Sequence, residues 1–347
     1  MTAQKELKNC TFAKTVLMIL IVVYHSMLFW TGGWFKVISP VFSSVVLKET
    51  AKYLTSFHIY AFALISGYIF YFVKYDKGGY EETLPFLKNK FARLIVPYIF
   101  VSLVWAIPFY LFVNKGTLSG AINKFALAIA PDQLWFLVML FVVFAVSFFM
   151  ANIWKYRSVL GLLSVIFIYL MQIVGQRIMP NVFQIWAACG YLPMFYAGFK
   201  LRQYSHGENR FFDVLRKIPS IVYVSCSSGV YILSLYIKTF DSKIFTLIGI
   251  GVNFSVHVLG ALMAFFVLTR LGNFFGDKKI FVYLSKVSMP VYLFHQQIIY
   301  LTTVYLNGLV NPYIHSAINF LVSFAVSVII SEILLKFKLT KYLIGEK

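Results

Sequence analysis

TFAKTVLMILIVVYHSMLFW, residues 11–30, is the stretch that decides the fold. It is long enough to cross ~30 Å of hydrocarbon as a helix. It nevertheless contains Lys14 and His25, two groups that a simple membrane anchor avoids. At ~100° and ~1.5 Å per residue, the two side chains lie on nearly one helix face, roughly 16 Å apart along the axis. The pair predicts either a functional path through the membrane or two structural roles, with Lys14 snorkelling and His25 hydrogen-bonding inside a bundle.

The composition places the whole chain in the membrane. Of 347 residues, 60% are hydrophobic and 12% charged, outside the range of soluble domains. The net charge of +19 would suggest a nucleic-acid partner in a soluble chain. Here it indicates basic loops that face membrane lipid or a phosphorylated ligand, and we expect no nucleic acid. Three scattered cysteines form no disulfide framework, and the long first segment is expected to remain as helix 1.

Apolar segments recur along the entire chain. They predict an all-α, polytopic membrane protein with a single transmembrane domain over residues 1–347. The ten candidate spans are 11–30, 53–73, 94–113, 134–151, 158–174, 183–200, 218–237, 244–269, 288–306 and 313–335.

Basic residues predict the orientation. One set of termini and loops carries 23 of the 31 Lys and Arg residues, whereas the loops on the other side carry eight. The positive-inside rule therefore places both termini in the cytoplasm and the chain in the cytoplasmic (plasma) membrane. The basic set comprises 1–14, 74–93, 151–157, 200–217, 270–287 and 336–347.

Polar residues at membrane depth are the candidates for a site, because ionisable groups there are costly. The orientation puts His25 in the outer half of helix 1 and His58 at a comparable depth on helix 2. Ser66, with its neighbour Gly67, permits close helix approach. His295 follows about two turns from the inner face, on the ninth span.

Two residues open the fourth span on the outer side. Asp132 is either a helix cap or an orienting partner for an outer-half histidine, and Trp135 is either an interfacial belt residue or part of the site. On the inner side, the basic loop 74–93 ends in Lys90 and Arg93, which are three residues apart. These cations either anchor the loop or bind phosphate, for which guanidinium is well suited.

The sequence lacks the signatures of soluble enzymes and any close set of metal ligands. A neutral imidazole could act as a general base for a hydroxyl, and Lys14, Lys90 and Arg93 could hold donor phosphates. That arrangement favours group transfer from a cytoplasmic activated carrier to an acceptor at the outer face. Histidines at mid-depth would equally suit proton coupling in a transporter or flippase of a glycan or anionic solute. A purely structural membrane subunit is a third possibility.

Five motifs in order resemble the acyltransferase 3 family of membrane proteins. They are Lys14-x10-His25, SFHIYAFALISGYIF (56–70), KNKFARLIVPY (88–98), LWFL (134–137) and MPVYLFH (289–295). The resemblance implies O-acylation, usually O-acetylation, of extracytoplasmic glycans with cytoplasmic acetyl-CoA or another acyl-CoA as donor, and it implies no metal. His25 matches the essential histidine of the family and Lys14 its basic partner. Lys90 and Arg93 match the Arg-x-x-Arg pair thought to engage acyl-CoA.

The chain departs from the family pattern in two respects. Lys90 replaces the first Arg of the pair, which keeps the charge but loses bidentate phosphate binding. Some members also carry a fused extracytoplasmic esterase-like domain of the SGNH type, which we do not find after the tenth span. We therefore expect the chain to act alone or with a separate extracytoplasmic partner. The expected acceptor is a lipid-linked sugar, a surface polysaccharide or another glycan, and His25 serves as either general base or transient acyl carrier.

Overall fold

The computed structural model describes residues 3–32, 34, 37–205 and 210–346. In these residues all regular structure is helical. In the first half, the main helices are α1 (Ala3–Met27), α2 (Val45–Thr55), α3 (His58–Tyr71), α4 (Thr83–Phe112), α5 (Trp135–Tyr156) and α6 (Ser158–Ile178). In the second half they are α7 (Ile185–Ser205), α8 (Arg210–Lys217), α9 (Ser220–Ile237), α10 (Lys243–Phe275), α11 (Lys279–Leu306), α12 (Pro312–Leu334) and α13 (Lys338–Leu343).

The helices confirm an all-α, multi-pass membrane protein. Eight helical stretches in the described residues are long and apolar enough to cross a membrane. The predicted spans 183–200 and 288–306 correspond to α7 and α11, which are helical but not among those eight. The count of ten and the orientation of the termini stay predictions.

The chain folds into two compact units. Unit 1 comprises residues 1–21, 52–77 and 194–285, and unit 2 comprises residues 22–51, 78–193 and 286–347. Each unit is therefore assembled from segments that are distant in sequence. We describe each by itself, and the expectation of a single domain over 1–347 stays a prediction.

In unit 2, helix α12 shows how an apolar solvent inverts the usual arrangement of side chains. Its polar residues recur every three or four positions and so share one helix face. That face is buried and comprises Ser316, Asn319, Ser323, Ser327 and Ser331. The exposed positions are apolar instead, among them Leu321, Ile329 and Ile333. Small polar residues pack closely between helices while aliphatic side chains face lipid, as expected in a membrane bundle.

Helix α4 corrects the prediction that residues 74–93 form a loop. The helix begins at Thr83, so Lys90 and Arg93 are helical residues. π-helical turns at Phe91–Ile95 and Ser102–Ala106 precede Pro97 and Pro108. Proline lacks an N–H and its ring crowds the carbonyl four residues earlier, and a wider turn accommodates both effects. The two prolines therefore interrupt the α-helical bonding pattern without ending the helix.

Helix α11 likewise extends further than its apolar core suggested. The predicted ninth span covers residues 288–306, whereas the helix begins at Lys279 and ends at Leu306. Pro290 lies within this helix. The charged and polar residues before Pro290 therefore form the first turns of the same helix.

In unit 1, α3 and α7 approach closely at two glycines. A Cβ added to Gly67 would lie 1.9 Å from the carbonyl oxygen of Phe195. A Cβ added to Gly198 would lie 1.8 Å from the carbonyl oxygen of Leu64. Backbone atoms cannot move aside as a flexible side chain can, so each helix requires glycine where it meets the other. The close approach predicted around Ser66 and Gly67 is therefore confirmed at Gly67.

We predict that Gly67→Ala destabilises the protein by about 1–3 kcal/mol, the usual cost of overpacking a core. The measurement is thermal unfolding of the full-length protein in detergent. Gly229→Ala is the matched control, because Gly229 is exposed on a helix and an added Cβ there meets nothing within 4 Å. Equal melting temperatures for the two variants would contradict the packing of α3 on α7.

Candidate functional site

Two histidine rings form the centre of the candidate site, which lies in unit 2. Nε2 of His295 is 3.2 Å from Nδ1 of His25, and the ring centroids are 4.9 Å apart. His25 is half-buried in the last turn of α1, whereas His295 is fully buried. The prediction that the two lie at different depths is therefore wrong. Because α11 begins at Lys279, His295 lies roughly 24 Å along the helix, near its middle.

Backbone carbonyls determine which nitrogen of His295 carries the proton. Nδ1 of His295 lies 2.8 Å from the Tyr292 oxygen and 3.1 Å from the Val291 oxygen. A carbonyl oxygen only accepts, so Nδ1 must be the N–H donor of the ring. In a neutral imidazole, Nε2 then carries the lone pair and accepts from His25.

The position of the proton on His25 follows in the same way. Its Nδ1 donates to the lone pair on Nε2 of His295, which assigns the proton of the neutral His25 ring to Nδ1. Nε2 of His25 is then the basic nitrogen. A lone pair on a nitrogen held in position by a second ring can remove a proton from a hydroxyl or attack an acyl group.

Aromatic side chains surround His25. The ring of Tyr24 lies 4.9 Å from the His25 ring in an edge arrangement, and that of Trp34 lies 6.3 Å away. Trp34 stacks on Tyr300 at 4.6 Å, and Tyr300 also lies beside Phe109 at 5.7 Å. The site therefore combines one basic nitrogen with flat apolar surfaces, as is common in small-molecule pockets.

A buried glutamine pair positions α11. Nε2 of Gln133 donates to Oε1 of Gln297 at 2.9 Å and to the Leu293 carbonyl at 2.8 Å. The Tyr292 hydroxyl donates to the Gln133 carbonyl. Sequence reasoning missed these residues. The signal was the run His295-Gln296-Gln297 inside an apolar span, since three consecutive polar residues there require buried partners.

Helix α12 holds the end of α1. Nδ2 of Asn319 donates to the Ser26 carbonyl at 3.4 Å, and Nε1 of Trp30 donates to the Ser316 hydroxyl at 2.8 Å. Oδ1 of Asn319 accepts from Thr302 of α11 at 2.6 Å. These bonds, to residues that directly follow His25, fix the end of the helix that carries it, because buried polar groups retain their partners.

The two candidates at the start of α5 lie outside the histidine pair. Asp132 pairs with Lys124 at 2.6 Å and provides no side-chain cap. Among the described residues no contact joins Asp132 to a histidine, so its predicted role as an orienting partner has no support. Trp135 is half-buried, with its ring 5.8 Å from that of Tyr191.

His58 and Ser66 belong to unit 1 and are both buried. Nδ1 of His58 hydrogen-bonds with the Leu54 carbonyl of the preceding turn. Hydrogen bonding to the neighbouring backbone is how a buried histidine is usually satisfied. The Ser66 hydroxyl has no hydrogen-bond partner among the described residues. Neither belongs to the histidine pair of unit 2.

The cations of α4 occupy a second region of unit 2. Nζ of Lys90 lies 3.9 Å from the Phe144 ring centroid and donates to the Tyr80 hydroxyl at 3.2 Å. Burial raises the pKa of Tyr80, and the positive charge of Arg93 opposes that shift. Burial also raises the pKa of Glu346, again opposed by Arg93. Arg93 has an exposed side chain and so is available to an anionic ligand.

Lys14, on the same helix as His25, belongs to unit 1. Its Nζ lies 4.9 Å from the Phe62 ring centroid, and its side chain is half-buried. A cation over an aromatic face keeps its charge while losing part of its hydration. In the described residues, no group of three or more His, Cys, Asp or Glu side chains could hold a metal ion.

The apolar helices and the family comparison together identify a membrane acyltransferase. The model of the acyltransferase 3 family, described as an acyltransferase domain, matches residues 9–335, nearly the whole chain. The chain belongs to this family. Neither the curated proteins nor the solved structures gave a significant match to the chain.

Proposed function

We propose that this membrane acyltransferase is an O-acyltransferase, and specifically an O-acetyltransferase. It moves an acyl group from cytoplasmic acyl-CoA to a hydroxyl of an extracytoplasmic or surface glycan. The observation that carries the proposal is the hydrogen bond between His25 and His295, with the His295 ring anchored on two carbonyls. This bond makes Nε2 of His25 the base that a hydroxyl acceptor requires.

In the proposed reaction, His25 alone carries the proton from the acceptor to the leaving group. Nε2 of His25 takes the proton of the acceptor hydroxyl as the oxygen attacks the thioester carbonyl. The C–O bond forms, the C–S bond breaks, and the imidazolium returns the proton to the leaving thiolate. The products are an ester and free coenzyme A. His295 stabilises the imidazolium by accepting from Nδ1, as a positioning residue does in related catalytic pairs.

Nucleophilic catalysis would use the same nitrogen. Attack of Nε2 on the thioester would place the acyl group on His25 before the acceptor hydroxyl takes it. A trapped acyl-imidazole would identify this route, and its absence under single turnover would favour the general base. Both routes require the same proton position on His25.

For the donor, we assign Lys90 and Arg93 of unit 2 to the phosphates of acyl-CoA, and for Lys14 of unit 1 we keep the role of basic partner that the family resemblance implies. The support is the exposed guanidinium of Arg93 and its position one turn from Lys90 on α4. Guanidinium binds phosphate through two parallel hydrogen bonds, whereas the ammonium of Lys90 acts as a point charge. We therefore rank Arg93 above Lys90.

For the acceptor, the aromatic groups beside His25 support a sugar. Trp34 and Tyr300 present flat apolar rings, and the Tyr300 hydroxyl accepts from Gln296 at 2.7 Å. Flat rings together with amides and hydroxyls suit a ligand with apolar ring faces and polar edges. A lipid-linked sugar or surface polysaccharide fits this description, and the chain acts on it alone or with a separate extracytoplasmic partner.

We predict that His25→Ala lowers acetyl transfer by roughly 10²–10⁴-fold, the usual contribution of a general base. The measurement is incorporation of labelled acetyl groups from acetyl-CoA into surface glycan by membranes that contain the full-length protein. His257→Ala is the matched control, because His257 is a half-buried histidine of unit 1 whose Nδ1 bonds with the Ser56 carbonyl at 2.7 Å. Wild-type transfer by a correctly inserted His25→Ala variant would contradict the proposal.

We further predict that His295→Leu lowers kcat roughly 10- to 100-fold with little change in KM for acetyl-CoA, since an unmade buried hydrogen bond costs about 1–3 kcal/mol. His295→Gln should restore much of the rate, because its amide oxygen can accept from Nδ1 of His25. Steady-state kinetics of the two variants provide the measurement. Equal losses in both variants, together with equal losses of thermal stability, would assign His295 a merely structural role.

A further inference from the structure

Unit 1 contains a cavity whose lining includes none of the residues that we assign to the proposed reaction. Its volume is about 330 Å³, and its lining includes three arginines, Arg202, Arg216 and Arg270, together with Glu6 and two amides. The amides pair with each other, since Nδ2 of Asn9 donates to Oδ1 of Asn273 at 2.9 Å. We call it the basic cavity.

Arg202 is the compensated cation of the basic cavity. Its Nε bonds Asp76 at 2.7 Å, and its Nη1 bonds Glu6 and, at 3.3 Å, the Tyr68 hydroxyl. Two carboxylates thus pair with one guanidinium that is almost fully buried. Arg202 therefore offers no net positive charge to a ligand.

Arg270 is held in a different way. Nη1 donates to the Ser220 hydroxyl at 3.0 Å and Nη2 to the Arg216 carbonyl at 2.8 Å. Both acceptors are neutral, so they orient the guanidinium without balancing its charge. Guanidinium has five N–H donors, and these two bonds leave several for a ligand.

Arg216 adds a second uncompensated charge to the lining. It lies on α8, and its backbone already accepts from Arg270. Among the described residues, neither Arg216 nor Arg270 forms an ion pair with a carboxylate. Both guanidinium groups line the same cavity, so an anion bound there would meet two cations that no carboxylate pairs with.

The position of the basic cavity indicates which class of anion it would bind. The cavity is lined by α1, α3, α7, α8 and α10. Its residues on α1, α7, α8 and the end of α10 fall in segments that the charge asymmetry predicts at the cytoplasmic face. Helix α8 combines basic residues with exposed Phe211 and Val214, a pattern typical of a helix in the membrane interface. Phosphate is the anion common to the lipids and coenzymes of that face, and paired guanidinium groups match its geometry.

We propose that the basic cavity binds a phosphate group, with Arg216 and Arg270 as its ligands. The phosphate comes from an anionic phospholipid headgroup or from a nucleotide such as coenzyme A. The assignment does not depend on His25 or on the identity of the acyl acceptor.

The test measures the affinity of full-length protein in detergent for two probes, coenzyme A and phosphatidylglycerol. We expect the double variant Arg216→Gln/Arg270→Gln to weaken one of them at least tenfold, which corresponds to about 1.4 kcal/mol. Lys217→Gln is the matched control, because Lys217 is the exposed cation next to Arg216 and does not line the cavity. Arg270→Lys keeps the charge and should give an intermediate affinity.

The probe whose binding is lost shows which molecule supplies the phosphate. Loss of coenzyme A binding alone identifies a nucleotide, and loss of phosphatidylglycerol binding alone identifies a lipid headgroup. Unchanged affinity for both probes in the double variant overturns the proposal, as does wild-type protein that binds neither. Because these readouts need no acyl transfer, their failure is distinguishable from failure of the proposed acetyl transfer.

Discussion

The hydrogen bond from Nδ1 of His295 to the carbonyls of Val291 and Tyr292 is the constraint on which the site depends. An acceptor-only partner fixes the proton on Nδ1, so the opposite nitrogen of His295 must accept from His25. That bond in turn directs the lone pair of His25 to Nε2. The backbone of α11 thereby determines which nitrogen of His25 carries the lone pair. The hydrogen bond from Gln133 to Gln297 holds α11 in register.

The membrane explains why this arrangement is built from so few charges. Ionised partners are costly in hydrocarbon, so a carbonyl and a second imidazole take the orienting role that a carboxylate has in many soluble enzymes. Charged groups are concentrated instead in regions such as the basic cavity of unit 1 and the Lys90–Arg93 pair of α4.

The fold class could be predicted from sequence because the length of apolar segments is a local property. His25 was singled out because ionisable groups are rare in lipid, and its catalytic role stays a prediction. The partner of His25 could not be predicted. Its depth depends on where α11 begins, and charged residues before Pro290 hid the first turns of that helix. The pair of Gln133 and Gln297 joins residues 164 positions apart, so only the folded chain reveals it. Lys90 and Arg93 were identified correctly as neighbouring cations, but in a loop, because the π-helical turns that accommodate proline have no simple sequence signal.

The proton position on His25 tests the central claim most directly. Solid-state ¹⁵N NMR of histidine-labelled full-length protein in lipid bilayers, with the spectrum of His25→Ala subtracted, reports each ring nitrogen of His25. The account predicts a protonated Nδ1 and an unprotonated Nε2 in the neutral ring. A neutral His25 with its proton on Nε2 would contradict the relay from the α11 backbone, and with it the assignment of His25 as the base.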